Sequence, residues 1–225
     1  MKESFSHEHI RVFDEVLPKD TFEQLWLFMN LIAYQSTAAG IWEKVWNIGD
    51  GNIFRSRQHA TDQLGMPRSE TVIDALVDRV IELTRRHPAM EGFSGLTLIP
   101  YVWPPATGIS WHCDGASMEA TDRIGGFTYY AHKHWNAEWG GEFLLSPERG
   151  HQGLPFDNSD VSHQILSSGI GTWVAPRPNR LLFVVGDALH KVAKTVATAA
   201  PRLTIQGFIH RTKTTSPRSA GEPRR

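Results

Sequence analysis

Residues 170–210 read IGTWVAPRPNRLLFVVGDALHKVAKTVATAAPRLTIQGFIH. Short apolar or β-branched runs at 170–175, 180–185, 190–194 and 202–209 alternate here with proline, glycine and asparagine, the pattern of short strands joined by turns. Four more such runs precede them: 95–101 (GLTLIPY), 109–114 (ISWHCD), 126–131 (GFTYYA) and 141–145 (GEFLL). The first 90 residues have a different texture. Phe22, Leu25, Trp26, Met29, Ile32 and Ala33 recur at helical intervals, from a cap at Asp20 or Thr21 to an end near Gly40. A second helix opens at Ser69, carries Val72, Ile73, Leu76, Val80 and Leu83 on one stripe, and closes on Arg85-Arg86-His87-Pro88. Eight short strands after a helical preface predict a mainly β fold, a jelly roll or barrel with the helices laid on one sheet.

With 225 residues, 40% hydrophobic and 21% charged, the chain suits one domain with a real core. It has no apolar run of membrane-spanning length, and its charged, histidine-bearing start does not read as a signal peptide. A single cysteine, Cys113, rules out an internal disulfide, and the expected location is the cytoplasm. The net charge of −1 conceals a basic tail: the last fifteen residues hold five basic groups and one acidic, which leaves −5 on residues 1–210. Such a body argues against a nucleic-acid partner. Residues 1–210 are read as a single domain, with a helical preface over about 1–92 and a β core over about 93–210, and 211–225 as a disordered basic tail. The polar segment 146–169 is long for a loop, and is expected to be a lid or partly disordered.

His112 and Asp114 end a predicted strand, where side chains two residues apart share a face and Cys113 between them points away. His190 opens another strand, and Arg202 opens the last, with Thr204 on its face. Two histidines and a carboxylate form the facial triad that holds Fe(II) and leaves positions for a chelating cosubstrate and dioxygen. An arginine fork nearby suits the far carboxylate of a dicarboxylic cosubstrate.

On these residues the chain resembles the Fe(II)/2-oxoglutarate-dependent oxygenases, in particular the prolyl-hydroxylase-like branch, over about residues 95–210. The markers are ISWHCDG (109–115), GGFTYYAHKHW (125–135) leading to WGGEFLL (139–145), PRPNRLLFV (176–184), LHKV around His190 and PRLTIQGFIH (201–210). The resemblance implies a double-stranded β-helix with helices on the major sheet. It makes His112, Asp114 and His190 the iron ligands and Arg202, with Thr204 as helper, the site for the 2-oxoglutarate C5 carboxylate. Tyr129 and Tyr101 fall where that branch hydrogen-bonds the cosubstrate. The cofactors implied are Fe(II), 2-oxoglutarate and dioxygen, with ascorbate stimulatory, and no catalytic side chain beyond the metal centre. The presence of Asp114 disfavours halogenation, because related halogenases lack that carboxylate. Ala131-His132 departs from the Leu-Asn common in the branch.

No binding module is appended, so the expected substrate is a small molecule such as an amino acid or biosynthetic intermediate, with a prolyl or other protein residue as the rival. Arg123, Trp103, Arg149 and His163 are the candidate substrate contacts, and the oligomeric state is left open. One alternative comes from another class. His132, His134 and Glu138, spaced after Gly126, match the first part of a cupin metal motif, although Leu145 stands where its glycine belongs and Gly186 and His190 do not reproduce its second part.

Overall fold

The computed structural model describes residues 1–37, 50–57, 68–114, 123–149, 165–167, 169–186 and 188–211. In chain order these form β1 (Lys2–His7), β2 (Ile10–Asp14), α1 (Lys19–Leu31), β3 (Gln35–Ser36), β4 (Phe54–Arg55), α2 (Ile73–Arg85), β5 (Phe93–Trp103), β6 (Ile109–His112), β7 (Arg123–Tyr130), β8 (Phe143–Arg149), β9 (Thr172–Val174), β10 (Leu181–Val185), β11 (Ala188–Val192) and β12 (Arg202–Arg211). All eight expected strands are present, as β5 to β12. They divide into a major sheet, ordered β1-β2-β10-β7-β12-β5-β4-β3, and a minor sheet, ordered β6-β11-β8-β9, with every pairing antiparallel. This is the double-stranded β-helix.

The period-two alternation of each major-sheet strand feeds two separate cores. Leu96 and Leu98 of β5, Phe127 and Tyr129 of β7, Leu181 and Phe183 of β10, and Leu203 and Ile205 of β12 face the helices. There they meet Leu25 and Met29 of α1 and Ile73, Leu76, Val77 and Val80 of α2. Each fully buried aliphatic side chain of this layer contributes roughly 1.5–3 kcal/mol. The intervening residues, Tyr101, Trp103, Tyr130, Leu182 and Val184, point the other way and close on Ile109, Phe143, Leu145, Ala188 and Val192 of the minor sheet. Strand β10 (LLFVV) is apolar throughout because both of its faces are covered.

The amino-terminal region departs from a purely helical preface. β1 and β2 form a hairpin, and β2 pairs with β10 through Ile10 to Phe13. Asp14 anchors it: Arg180 donates Nε to Oδ1 at 2.7 Å and Nη2 to Oδ2 at 3.0 Å. Helix α1 stops at Leu31, well before Gly40, which lies outside the described residues. Ile32 is already extended, and the Tyr34 hydroxyl takes up the carbonyl of Met29 at 2.7 Å. At α2 the expected cap is reversed. Ser69 does not cap the helix; Asp74 reaches back and accepts bonds from the Ser69 hydroxyl (2.8 Å) and the N–H of Glu70 (2.9 Å). Of the segment 146–169, residues 146–149 extend β8 and 165–167 form a helical turn, whereas 150–164 and 212–225 are outside the described residues.

Candidate metal centre

His112 and His190 are direct partners across β6 and β11. The pairing slips by one residue between this pair and Ile109–Val192, a bulge that turns both Ile109 and His112 towards the space between the sheets. Nδ1 of His112 lies 2.8 Å from the Ser110 carbonyl, and Nδ1 of His190 lies 2.8 Å from the Ala188 carbonyl. A carbonyl oxygen only accepts, so both Nδ1 atoms carry a proton, and in the neutral form of either ring Nε2 is bare. Strand β6 ends at His112, so Asp114 is held by the turn that follows rather than by the strand; its Oδ1 nevertheless lies 3.9 Å from His112 Nε2 and 3.8 Å from His190 Nε2. The three ligand atoms lie within 4.8 Å of one another. Cys113 does not join them.

Two bare nitrogens and a carboxylate oxygen facing one another at these distances make no hydrogen bond, and their lone pairs repel. A cation between them removes the conflict, so the donor set fits a metal ion, and two histidines with one carboxylate suit Fe(II). Burial and the neighbouring His190 push the His112 pKa down to about 4, against the pull of Asp114, so that ring stays neutral and able to ligate at neutral pH. Phe143 stacks on His190 at 4.9 Å between centroids. Across the gap Gly126 of β7 leaves room for Asp114, since a Cβ there would run into the carboxylate.

Arg202 lies on the metal-facing side of β12, opposite Trp103 of β5, and is 1% exposed. Its guanidinium carbon sits 4.7 Å from the Trp103 ring centroid, and Nη1 donates to the Gly141 carbonyl at 2.7 Å. Nε and Nη2 are buried with no hydrogen-bond partner among the described residues. Burial brings the arginine down to about 10, so it remains a cation at neutral pH. A buried cation with two unused donors is strongly unfavourable unless an anion completes it, and a carboxylate has the matching geometry. Thr204 accepts the indole N–H of Trp103 at 2.8 Å, which fixes the ring beneath the guanidinium.

The other expected site residues fall as follows. Tyr129 is turned to the helix side, where its hydroxyl donates to Asn179 at 2.8 Å, so it does not reach the space between the sheets. Its neighbour Tyr130, across from Thr204, occupies the inner face and is pushed up to about 12 by burial, with the Arg202 charge pulling the other way. The pair Tyr-Tyr carries no sign of which ring points inward; only the pairing with β12 decides it. Tyr101 is on the inner face, pushed up to about 12 by burial and acted on by the charges of Arg55 and Arg123. Trp103 is the floor under Arg202 and 1% exposed, which corrects its reading as a substrate contact. Arg123 lies 3.8 Å over the Phe208 ring. The side chain of Arg149 and all of His163 lie outside the described residues.

The cupin alternative fails on geometry. Residues 131–142 form no strand. His132 is buried and donates Nε2–H to the Pro176 carbonyl at 2.7 Å, His134 is exposed edge-on to Trp139, and Glu138 is exposed. Among the described residues, His112, Asp114 and His190 are the one group of three ligating side chains close enough to share an ion.

Residues 98–210, half of the chain, match the family model of the 2OG-Fe(II) oxygenase superfamily. The chain belongs to this superfamily. As an oxygenase of this kind it uses Fe(II), 2-oxoglutarate and dioxygen, and the triad fits an iron site. Among solved structures, this oxygenase is similar to a Pseudomonas putida prolyl-4-hydroxylase, at 14% identity and a TM-score of 0.57 over 91% of this chain and 94% of that one. A Trichoplax adhaerens prolyl hydroxylase in complex with a hypoxia inducible factor peptide fragment gives 15% and 0.60 over 90% and 84%. A Burkholderia pseudomallei 2OG-Fe(II) oxygenase family protein gives 17% and 0.59 over 91% and 86%. No curated protein matches in sequence. Among the described residues no helix is long and apolar enough to cross a membrane.

Proposed function

We propose that this oxygenase hydroxylates an unactivated carbon of a small molecule such as an amino acid or biosynthetic intermediate, with residues 1–210 acting as one catalytic domain in the cytoplasm. The observation that carries the cosubstrate half of this reading is Arg202, a buried cation whose Nε and Nη2 await an anion. Arg202 binds the C5 carboxylate of 2-oxoglutarate; Tyr130 and Tyr101 lie on the same inner face, and Thr204 and Trp103 support the guanidinium. His112, Asp114 and His190 hold the iron. When bound, Fe(II) with 2-oxoglutarate and dioxygen supplies the oxidising power, and the cosubstrate leaves as succinate and carbon dioxide. The protein's share is geometric: it anchors one end of the cosubstrate, keeps His112 neutral and excludes water with the apolar residues between the sheets.

Arg55 pairs with Tyr101 across β4 and β5, and both Arg55 and Arg123 act electrostatically on the Tyr101 ring. Two cations acting on one inner-face ring favour a substrate bearing a carboxylate or another anion. A second reading, hydroxylation of a prolyl or other protein residue, is supported by the prolyl hydroxylases among the similar structures, one of them holding a peptide. The test is succinate formation by the iron-loaded enzyme with 2-oxoglutarate and ascorbate, comparing free amino acids and other small acids with proline-containing peptides. Stimulation by the small acids alone supports the first reading, and stimulation by peptides alone replaces it with the second.

A further inference from the structure

Among the described residues β6 is an outer strand of the minor sheet, whereas β11 lies inside it, between β6 and β8. An outer strand presents backbone groups that no neighbouring strand can bond. On β6 that gap is filled by Asp50, sixty residues earlier in the chain. The N–H of Ser110 donates to Asp50 Oδ2 at 3.0 Å, and the Ser110 hydroxyl donates to Oδ1 at 2.8 Å. The backbone carbonyl of Asp50 accepts the N–H of Gly108 at 3.0 Å. Asp50 is 4% exposed, and carboxylates are seldom so buried unless their hydrogen-bonding capacity is used.

Ser110 is the residue whose carbonyl accepts Nδ1–H of His112. The Asp50 carboxylate therefore grips the residue that sets the tautomer and aim of a metal ligand. His190 has a different support. Its acceptor, the Ala188 carbonyl, belongs to β11, which lies between β6 and β8, and Ala188 itself pairs with Arg149 of β8. The two histidines make the same bond to the residue two before them, yet among the described residues only the one on the outer strand has a buried carboxylate braced against that residue.

We propose that Asp50 is a positioning residue for the metal centre, which braces the open edge of β6 so that the Ser110 carbonyl holds His112 with Nε2 aimed at the metal. This rests on His112, Asp114 and His190 binding the ion. Asp50 touches neither metal nor substrate.

Titrating the metal-free full chain with Co(II), whose visible absorption reports ligand number and geometry, tests the role. Asp50→Ala is expected to weaken Co(II) binding on the order of 10-fold or more, the usual scale for groups that orient metal-bound histidines, and to change the spectrum. Asp50→Asn presents one acceptor where Ser110 offers two donors, and Ser110→Ala removes one donor; each is expected to lose roughly 3-fold to 10-fold. Thermal melts of the metal-free variants separate a weaker site from a weaker fold, and if Asp50→Ala does not fold, the two milder variants decide. Unaltered Co(II) affinity and spectrum in both Asp50→Asn and Ser110→Ala would overturn the proposal. Survival of the wild-type spectrum in His190→Ala would instead overturn the metal assignment, and the role of Asp50 with it.

Discussion

The guanidinium carbon of Arg202 lies over the indole of Trp103, from directly opposed positions of β12 and β5, 4.7 Å from carbon to ring centre. The ring supports the cation from one side, and Nε and Nη2 have no hydrogen-bond partner among the described residues. Replacing Arg202 by Met is therefore expected to leave the cosubstrate-free protein as stable as the wild type or more so, because an uncompensated buried charge is removed. The same change is expected to lower 2-oxoglutarate affinity roughly 30-fold or more, since charge-assisted hydrogen bonds are worth about 1.5–3 kcal/mol each. Melting temperatures with and without 2-oxoglutarate check both halves: the wild type rises with ligand, and Arg202→Met does not.

Trp103→Phe keeps a ring under the guanidinium and deletes the N–H bonded to Thr204. A loss of about 1–2 kcal/mol in stability is expected, the cost of leaving one buried partner unsatisfied. The KM for 2-oxoglutarate should rise a few-fold with kcat little changed, as measured by succinate release.

Adjacent glycines of β7 separate fold from site. A Cβ at Gly125 would lie 2.6 Å from the Val184 carbonyl and 2.7 Å from the Met90 methyl, whereas one at Gly126 would meet the Asp114 carboxylate. Gly125→Ala should lower the unfolding midpoint of the metal-free protein. Gly126→Ala should leave that midpoint nearer the wild type and weaken metal binding on the order of 10-fold or more, as for other changes that displace a ligand. Calorimetric titration and thermal melts on both variants test the contrast.

His132 carries a pH signature. Burial holds its folded pKa down at about 4 from the usual 6.5, with Arg202 lowering it further and carbonyl contacts opposing. Between those values the unfolded chain binds the proton and the folded chain does not, so the stability contributed by the neutral ring is present above pH 6.5 and is lost as pH falls towards 4. The full loss amounts to about 3 kcal/mol at 1.36 kcal/mol per pH unit. Urea unfolding at pH 7 and pH 4.5 should show a smaller drop for His132→Asn than for the wild type, and metal affinity at pH 7 should remain within about 2-fold of it, since outer residues affect a metal site only through its ligands.

What could be read from the sequence depended on how far each feature lies from its cause. The strands from 95 onwards were legible because their runs are apolar on both faces, as in LLFVV of β10. The amino-terminal hairpin was not: every residue of β1 is exposed, and charges and histidines conceal the apolar Ile10, Val12 and Phe13 of β2. His112 and Asp114 announced themselves by spacing, and His190 by its place before the Arg-x-Thr of β12. Tyr129 was preferred to Tyr130 because facing depends on strand register, which the chain expresses only through its partner β12. Asp50 stayed invisible because nothing local marks a carboxylate that meets Ser110 only after the sheet has closed.

The direct opposition of His112 and His190 also orders events in time. Their strands are 78 residues apart in the chain and touch only once the minor sheet has formed, and Asp114 sits in a turn that needs Gly126 of the other sheet beside it. A chain still being made holds no preassembled pocket for the ion, and long-range pairing of this kind is slow to form. A metal ion that binds the closed site and not the open chain therefore deepens the native basin by mass action.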